Sequence, residues 1–234
     1  MGESSGAEAS RGSIVLDRVR VELDGRAVLH DVSLRLEAPR IAVIGANGSG
    51  KSTFARLLDG LVVPTAGTAV VHGLDVARDT RELRRRVGFV FTDPDAQILM
   101  PTPAEDLALS LRNLPRAEVG RRVRETLEAH GLEEHADVPA SSLSGGQKQL
   151  LALAAVLVTG PRLLVADEPT TLLDRRNARR IADLLMTQEA QVVVATHDLD
   201  LAARCDIAAL FAGGRIAALG RPDTVIDEYC RVSA

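Results

Sequence analysis

The chain has 234 residues, 46% of them hydrophobic, which is enough to bury the core of one large domain. Its formal net charge of −4 argues against a general nucleic-acid binder, which needs a basic surface. Four phenylalanines, one tyrosine and no tryptophan leave few rings on which bases could stack. The longest apolar run, Leu150 to Val158, is far short of the roughly twenty residues of a membrane span, so we expect a partner to supply any membrane contact.

The N-terminal region of the sequence predicts an antiparallel β-hairpin, a buried strand and a helix. Residues 1–12, rich in Ser, Gly, Glu and Ala, are expected to form a loose tail. Two alternating segments, Ile14 to Val21 and Ala27 to Leu36, flank Asp24-Gly25 and predict a hairpin. The apolar run Ile41 to Ile44 predicts a buried strand, which leads through a glycine-rich turn into an amphipathic helix. Further strands are predicted at Thr68 to Val71 and Val87 to Phe91.

The pattern changes between Pro103 and Leu143, where two helices with polar faces predict a small helical subdomain. We place this subdomain at about residues 101–158, inserted in a single domain of residues 13–234. Buried strands then alternate with helices, which predicts an α/β fold with a parallel sheet. The predicted elements are strands at Leu163 to Ala166 and Gln191 to Thr196, a helix from Arg175 to Met186, a hairpin from Ile207 to Leu219 and a last helix from Pro222 to Arg231.

The turn after the first buried strand has the sequence of a phosphate-binding loop. Its glycines let successive backbone N–H groups surround phosphates, Lys51 reaches the β and γ oxygens, and Ser52 offers a hydroxyl to Mg²⁺. The alternative, a glycine-rich turn with a surface lysine, is disfavoured by the strand before the loop and the helix after it. The predicted ATP-binding residues are Gly45, Asn47, Gly48, Ser49, Gly50, Lys51, Ser52 and Thr53.

The strand from Leu163 to Ala166 ends in two adjacent carboxylates, Asp167 and Glu168. Alternation along a strand directs them to different sides. Asp167 suits Mg²⁺ through a water molecule, and Glu168 can orient and deprotonate an attacking water. Acids at strand ends are often merely solvated, and only the presence of the phosphate loop makes this pair a strong candidate.

His197 follows the strand from Gln191 to Thr196 and is expected at the carboxyl edge of the sheet, where ligands of such folds bind. We favour a contact with a γ-phosphate over a packed ring or a helix cap. Asp174 is predicted to cap the helix from Arg175, with a nucleotide contact as a second role. Lys51, Glu168 and His197 are therefore the predicted catalytic residues.

The other reactive side chains have no predicted role. Cys205 and Cys230 fit two thiols in a reducing compartment, although a disulfide between them stays open. The remaining histidines are scattered and show no metal-ligand spacing: His30, His72, His130 and His135.

The segment Leu143-Ser144-Gly145-Gly146-Gln147 predicts a second anion-binding element. An apolar helical pattern follows it, so the glycines lie at a helix N-terminus, where free N–H groups and the helix dipole favour phosphate. Two phosphate-binding elements in one small chain suggest that two chains share their sites.

The segments GANGSGKS, LSGGQ, LLVADEP, TLLD and THD, in this order, resemble the ATP-binding cassettes of the ABC family over nearly all of the chain from Ile14. The resemblance implies a P-loop NTPase fold with a parallel-sheet core, an antiparallel N-terminal part and a helical subdomain. It implies Mg-ATP hydrolysis in a head-to-tail dimer with a second cassette, identical or not. In such a dimer the residues expected to contact the ATP of the partner chain are Ser144, Gly145, Gly146, Gln147 and Asp174. It also implies a peripheral position on the cytoplasmic face of the cell membrane.

Two segments, Val87 to Gln97 and Pro101 to Asp106, resemble the energy-coupling factor (ECF) branch of that family. Within this branch, Leu36 to Ile41 and Gly50 to Leu58 are most similar to the biotin-uptake ATPase. The resemblance implies a transmembrane coupling subunit and a small membrane substrate-binding subunit as partners, with no nucleic acid. Cobalt, nickel or another vitamin are alternative substrates. A soluble ABC ATPase outside transport and a silent regulatory cassette are less favoured alternatives.

Three residues depart from the family pattern. Thr92 stands where the family has a coupling glutamine, so it is a further candidate contact to Mg²⁺, while Gln97 is nearby but out of register. Leu23 stands near the position of the aromatic that stacks on adenine, so adenine is expected on an aliphatic surface. Leu172 replaces a small residue of the D-loop, the segment Thr171 to Asp174, which is expected to alter dimer packing.

The stretch from Thr92 to Leu111 is expected to receive the membrane subunit. Its residues Ile98, Leu99 and Met100 are apolar and stand near prolines, which is unusual for a solvated loop.

Overall fold

The computed structural model describes residues 12–233, and the predicted tail of residues 1–12 lies outside this range apart from Gly12. The strands within it are β1 (Ile14–Leu23), β2 (Arg26–Leu36), β3 (Arg40–Ile44), β4 (Ala66–Val71), β5 (Leu74–Asp75), β6 (Val87–Val90), β7 (Leu163–Asp167), β8 (Gln191–Ala195), β9 (Ile207–Ala212) and β10 (Arg215–Gly220). The α-helices are α1 (Lys51–Leu58), α2 (Thr80–Arg86), α3 (Pro103–Ser110), α4 (Arg116–Ala129), α5 (Gly145–Leu157), α6 (Arg175–Met186), α7 (Leu199–Ala202) and α8 (Pro222–Ser233). Short 3₁₀ turns are formed by Pro94–Ala96, Glu133–His135 and Ala140–Ser142.

A six-stranded sheet with the order β10-β9-β3-β8-β7-β6 forms the centre of the molecule. Neighbouring strands from β9 to β6 are parallel, and β10 pairs antiparallel with β9. The central strands are almost wholly apolar and buried, as is typical of a parallel sheet covered on both faces. The predicted parallel core is confirmed, and the C-terminal ends of β3, β7 and β8 lie together at its carboxyl edge.

A separate antiparallel sheet with the order β2-β1-β4-β5 contains the predicted N-terminal hairpin. Its turn residues Asp24 and Gly25 have φ values of 50° and 72°, as in the two-residue turns that suit the twist of paired strands. The predicted hairpin is therefore confirmed; β1 extends two residues beyond Val21, and β2 begins one residue before Ala27.

Side chains alternate between the two faces of the central sheet and enter two hydrophobic clusters. Ile44 and Val194 belong to one cluster, with apolar residues of α3 to α8. Val43 and Val193 belong to the other, with α1 and the antiparallel sheet. Because α3, α4 and α5 share their cluster with the sheet, they form one continuous core with it, and the subdomain bounds at about 101–158 stay a prediction.

The sequence did not predict several short elements, among them β5, α7 and the 3₁₀ turns, because elements of this length are too short to show a hydrophobic periodicity. Cys205 and Cys230 are unpaired thiols in the described structure, the first buried and the second exposed. No helix formed by residues 12–233 is both long and apolar enough to cross a membrane.

Asp59 follows α1 and carries a buried carboxyl group. Burial raises its pKa from 3.8 to about 6, and Arg84 partly opposes this effect. Because the folded state binds this proton more tightly than the unfolded chain does, the free energy of unfolding falls as the pH rises from about 4 through about 6. Asp59→Asn, which cannot ionise, is expected to increase the free energy of unfolding by on the order of 1–3 kcal/mol at pH 8 and by much less at pH 4.

Urea unfolding of the wild type and Asp59→Asn at both pH values measures this effect. Asp137→Asn, at an exposed position, is the matched control and is expected to change little. An Asp59→Asn effect of the same size at both pH values would show that ionisation of Asp59 is not its cause.

Candidate active site

A glycine-rich loop joins β3 to α1. Gly45 has a φ of 147°, and a Cβ atom there would lie 2.2 Å from the carbonyl oxygen of Phe211. Gly50 precedes α1 with a φ of 106°, and a Cβ atom there would lie 2.8 Å from a methyl group of Leu29. Only glycine fits both positions, so this loop meets a bound anion through backbone N–H groups rather than side chains.

Lys51 is the first residue of α1 and is only 5% exposed. Its ammonium group donates to the carbonyl oxygens of Gly45 at 2.8 Å and Ala46 at 3.1 Å, so the cation spans the loop. The Ser49 hydroxyl is buried and has no hydrogen-bond partner among the described residues. A fixed cation, an unpartnered hydroxyl and the N-terminus of an eight-residue helix together fit phosphate.

The side chains of Ser52 and Asp167 meet at the ends of α1 and β7. The Ser52 hydroxyl donates to Asp167 Oδ1 at 2.9 Å. Burial raises the pKa of Asp167, and the bond from Ser52 opposes that shift. Residues 12–233 contain no group of three or more His, Cys, Asp or Glu side chains that could hold a metal. One hydroxyl and one buried carboxylate nevertheless fit Mg²⁺, which keeps several water ligands and binds phosphate oxygens.

Glu168 lies one residue beyond β7 and has a φ of 51°, a strained value for a residue with a side chain. Its N–H donates to the carbonyl oxygen of Ala195 at 2.8 Å, which ties this turn to β8. Its Oε2 accepts from the His197 ring Nδ1 at 2.7 Å, the His197 N–H at 3.3 Å and the Thr171 hydroxyl at 3.1 Å. Its Oε1 lies 3.8 Å from Lys51 Nζ. The carboxylate is therefore oriented through Oε2, and Oε1 faces the phosphate loop.

The D-loop residue Asp174 caps α6, as predicted. Its carboxylate accepts from the N–H and the side-chain amide of Asn177, both at 2.9 Å. The backbone bond is the main cause that lowers the pKa of Asp174. Leu172, two residues before it, is 67% exposed, so the residue that departs from the family pattern presents its side chain to the surroundings.

The LSGGQ segment begins α5 and closes a capping box. The Gln147 N–H donates to Ser144 Oγ at 3.3 Å, and the Ser144 N–H donates to Gln147 Oε1 at 2.9 Å. Within the helix, the N–H groups of Gly145 and Gly146 have no carbonyl partner, as in any first turn. No hydrogen bond or ion pair in the described part of the chain joins this segment to the phosphate loop.

Thr92 lies beside the candidate metal site, since its hydroxyl donates to the main-chain oxygen of Asp167 at 2.9 Å. Gln97 is directed elsewhere: its Oε1 accepts from the Phe91 N–H, and its Nε2 donates to the carbonyl oxygen of Ala152, both at 3.0 Å. Gln149 donates to the carbonyl oxygen of Phe91 at 3.4 Å. Sequence reasoning missed both glutamine contacts, although a glutamine within the apolar pattern of α5 was a signal, because a buried amide needs partners.

Leu23 ends β1 beside the hairpin turn, and residues 12–53 contain no Phe, Tyr or Trp. The aliphatic surface for adenine stays a prediction.

Comparison with protein families and known proteins gives one consistent result. The family model described as ABC transporter matches residues 29–171, more than half of the chain. The chain is 48% identical to a Deinococcus radiodurans protein provisionally named an ABC transporter ATP-binding protein, over 92% of this chain and 96% of that protein. It is 39% identical to the biotin transport ATP-binding protein BioM of Rhizobium etli, over 95% and 100% of the two chains.

Two solved structures share the fold over most of both chains. CbiO1 of Clostridium perfringens, part of the ABC transporter complex CbiONQ, has a TM-score of 0.80 at 32% identity, over 92% of this chain and 90% of that one. A dimeric ATP-binding cassette in a post-hydrolysis state with ADP and Pi has a TM-score of 0.79 at 28% identity, over 89% and 98%.

The fold and the site define an ATP-hydrolysing cassette of mixed α/β architecture. The chain belongs to the ABC transporter family, as an ATP-binding subunit. ABC cassettes dimerise and work with membrane subunits.

Proposed function

We propose that this chain is the ATPase subunit of an importer of the ECF class and that biotin is the imported substrate. In this proposal the chain works as half of a cassette dimer on the cytoplasmic face of the cell membrane. The observation that carries the ATPase part is the convergence of Lys51, Asp167, Glu168 and His197 at the carboxyl edge of one sheet. The 39% sequence identity to BioM over nearly all of both chains supports biotin as the substrate. Cobalt, nickel and other vitamins are the alternatives.

Each residue at this edge has a distinct role in the proposed reaction. Gly45 to Thr53 bind the phosphates of ATP, and Lys51 neutralises charge on the β and γ oxygens. Glu168 orients and deprotonates the attacking water through Oε1, because Oε2 is engaged by His197 and Thr171. His197 contacts the γ-phosphate. Ser52 and Asp167 would hold Mg²⁺, which supplies neutralisation of the phosphate charge.

The LSGGQ segment completes the site of a second cassette in this proposal, whether that cassette is identical or different. The support is that Ser144 caps α5 and that Gly145 to Gln147 form its first turn, where free N–H groups and the helix dipole favour an anion. Ser144, Gly145, Gly146 and Gln147, with Asp174, would then contact ATP held by the partner.

The contact with the membrane subunit is proposed for a groove of about 460 Å³ beside the 3₁₀ turn Pro94–Ala96. Leu99 in this groove is 72% exposed, which is unusual for a leucine. Its loop is nevertheless fixed, because the buried Asp106 Oδ1 accepts from the N–H groups of Leu99 at 2.8 Å and Met100 at 3.1 Å. The groove is lined by Asp95, Ile98, Leu99, Met100, Pro101, Pro139, Ala140 and Ser141.

Co-expression with the membrane proteins encoded beside its gene tests this proposal. We expect the chain to be recovered with hydrophobic subunits that import labelled biotin, and Leu99→Asp to lose most of that recovery while its melting temperature is retained. Leu219→Asp, at another exposed leucine on β10, is the control. Import of cobalt, nickel or another vitamin instead would replace biotin, and recovery with ribosomes or DNA would refute the transporter assignment.

Thr92 gives a test of the metal site. Thr92→Gln places a longer amide beside Asp167 and is expected to lower the Mg²⁺ concentration for half-maximal ATPase activity by about three- to tenfold. Thr92→Val keeps the shape but removes the hydroxyl that donates to Asp167, and is expected to raise that concentration. The readout is steady-state ATPase activity titrated with Mg²⁺. Identical titrations for both variants and the wild type would exclude Thr92 from the metal site.

A further inference from the structure

The side chain of Gln147 is held by a residue outside the LSGGQ segment. Its Oε1 closes the capping box with the Ser144 N–H at 2.9 Å. Its Nε2 lies 2.9 Å from the ring Nε2 of His135. Gln147 thus links the start of α5 to the 3₁₀ turn Glu133–His135.

Hydrogen-bond chemistry fixes the direction of this contact. Because Gln147 Oε1 already accepts from an N–H group, the amide NH₂ faces the ring and must donate. His135 Nε2 must then accept, with the ring proton on Nδ1. Nδ1 is buried and has no hydrogen-bond partner in the described part of the chain. The bond to Gln147 is therefore the one hydrogen bond that this ring makes among the described residues.

The turn that carries His135 is anchored from the core. Leu132, just before it, is fully buried in the cluster shared by α3 to α8 and the sheet. The His135 N–H donates to the carbonyl oxygen of Leu132 at 2.9 Å, and the His135 carbonyl oxygen accepts from Val138 at 3.3 Å. The position of the ring is therefore fixed by this anchored turn and not by α5, the helix that the ring contacts.

We propose that His135 is a positioning residue for the hydrogen-bond donors that α5 offers to the nucleotide of a second cassette. By fixing the Gln147 amide, it keeps Ser144 Oγ as the acceptor of the helix cap. The hydroxyl hydrogen of Ser144 and the N–H groups of Gly145 and Gly146 are then left for the γ-phosphate. The inference rests on the proposed sharing of sites between two cassettes and adds to it a residue outside the LSGGQ segment.

Two substitutions of His135 separate positioning from folding. His135→Phe keeps a ring but removes both nitrogens, and His135→Gln supplies an acceptor oxygen at a similar reach. We expect kcat for ATP hydrolysis to fall about three- to tenfold in His135→Phe, with KM and ATP binding by the isolated chain within about twofold of the wild type. His135→Gln should recover at least half of the wild-type kcat. If His135→Phe does not fold, His135→Asn, whose shorter amide cannot reach Gln147, takes its place.

A double-mutant cycle identifies the route of the effect. If His135 acts through Gln147, His135→Phe should cause no further loss of kcat in a Gln147→Ala background. His130→Phe is the matched control, because His130 Nδ1 contacts the carbonyl oxygen of Thr126 at the end of α4 and not the LSGGQ segment. The inference is overturned if kcat is unchanged in His135→Phe, if His135→Gln gives no recovery, or if the two losses multiply in the cycle.

Ser144→Asp distinguishes failure of this inference from failure of the shared site. If Ser144→Asp retains dimer-dependent hydrolysis, the sharing of sites is wrong and the role of His135 falls with it. If Ser144→Asp abolishes hydrolysis while His135→Phe changes nothing, only the role of His135 is wrong.

Discussion

Glu168→Gln is expected to reduce the rate of ATP hydrolysis by about 10²–10³-fold while ATP stays bound. The amide retains an oxygen that can accept from the His197 ring and the Thr171 hydroxyl, so the strained turn after β7 keeps its anchor points. What it lacks is the basicity needed to take a proton from water. In the proposed dimer, we expect ATP binding to join the two cassettes and hydrolysis to release them. The variant should therefore accumulate as an ATP-bound dimer.

Light scattering and nucleotide content after incubation with Mg-ATP measure this accumulation, alongside single-turnover hydrolysis. Glu189→Gln makes the same chemical change at an exposed position before β8 and should behave as the wild type. Turnover in Glu168→Gln above about a tenth of the wild-type rate would remove Glu168 from the role of general base.

Ser144→Asp is expected to lower kcat by at least about 10²-fold without weakening ATP binding by the isolated chain. Aspartate caps a helix as well as serine does, so the start of α5 should be preserved. Its negative charge, however, would face the γ-phosphate of the ATP on the partner cassette. Ser142→Asp introduces the same charge two residues earlier, where the hydroxyl contacts only the Pro139 carbonyl oxygen in the described structure, and should have little effect.

Mixing two inactive variants tests the shared site most directly. A Ser144→Asp chain supplies an intact phosphate loop, and a Lys51→Ala chain supplies an intact LSGGQ segment, so a mixed dimer contains one complete site. With random pairing, half of the dimers are mixed, and in each mixed dimer one of the two sites is complete. The mixture is therefore expected to reach up to about a quarter of the wild-type activity. No recovery on mixing, with mixed dimers present, would contradict sites built from two chains.

Much of this fold could be predicted because its signals are local. The hairpin at Asp24-Gly25, the buried strand before the phosphate loop and the capping role of Asp174 each depend on a few neighbouring residues. Asp167 and Glu168 contact Ser52 and His197 respectively, so the predicted divergence is observed. Strand alternation is not its cause, because Glu168 lies beyond β7 and has a φ of 51°.

Contacts between distant parts of the chain could not be predicted in this way. Arg40 begins β3, and its guanidinium donates to the carbonyl oxygens of Met186 at 3.1 Å and Ala190 at 2.9 Å. His135 meets Gln147 only because the chain folds back from α4 to α5. No periodicity or motif in the sequence encodes these approaches, and the left-handed conformation of Glu168 is likewise imposed by its bond to β8.

The paired glutamine contacts to Phe91 have a mechanical consequence. Gln97 links the Phe91 N–H to the carbonyl oxygen of Ala152 in α5, and Gln149 of α5 donates to the carbonyl oxygen of Phe91. These three hydrogen bonds join the segment that carries Thr92 to the helix that begins with LSGGQ. The exposed Leu99 follows Gln97 by two residues in the same segment. A displacement of Leu99 would therefore reach both the candidate magnesium site beside Thr92 and the start of α5. In the proposed dimer, one contact with the membrane subunit would thus act on both nucleotides.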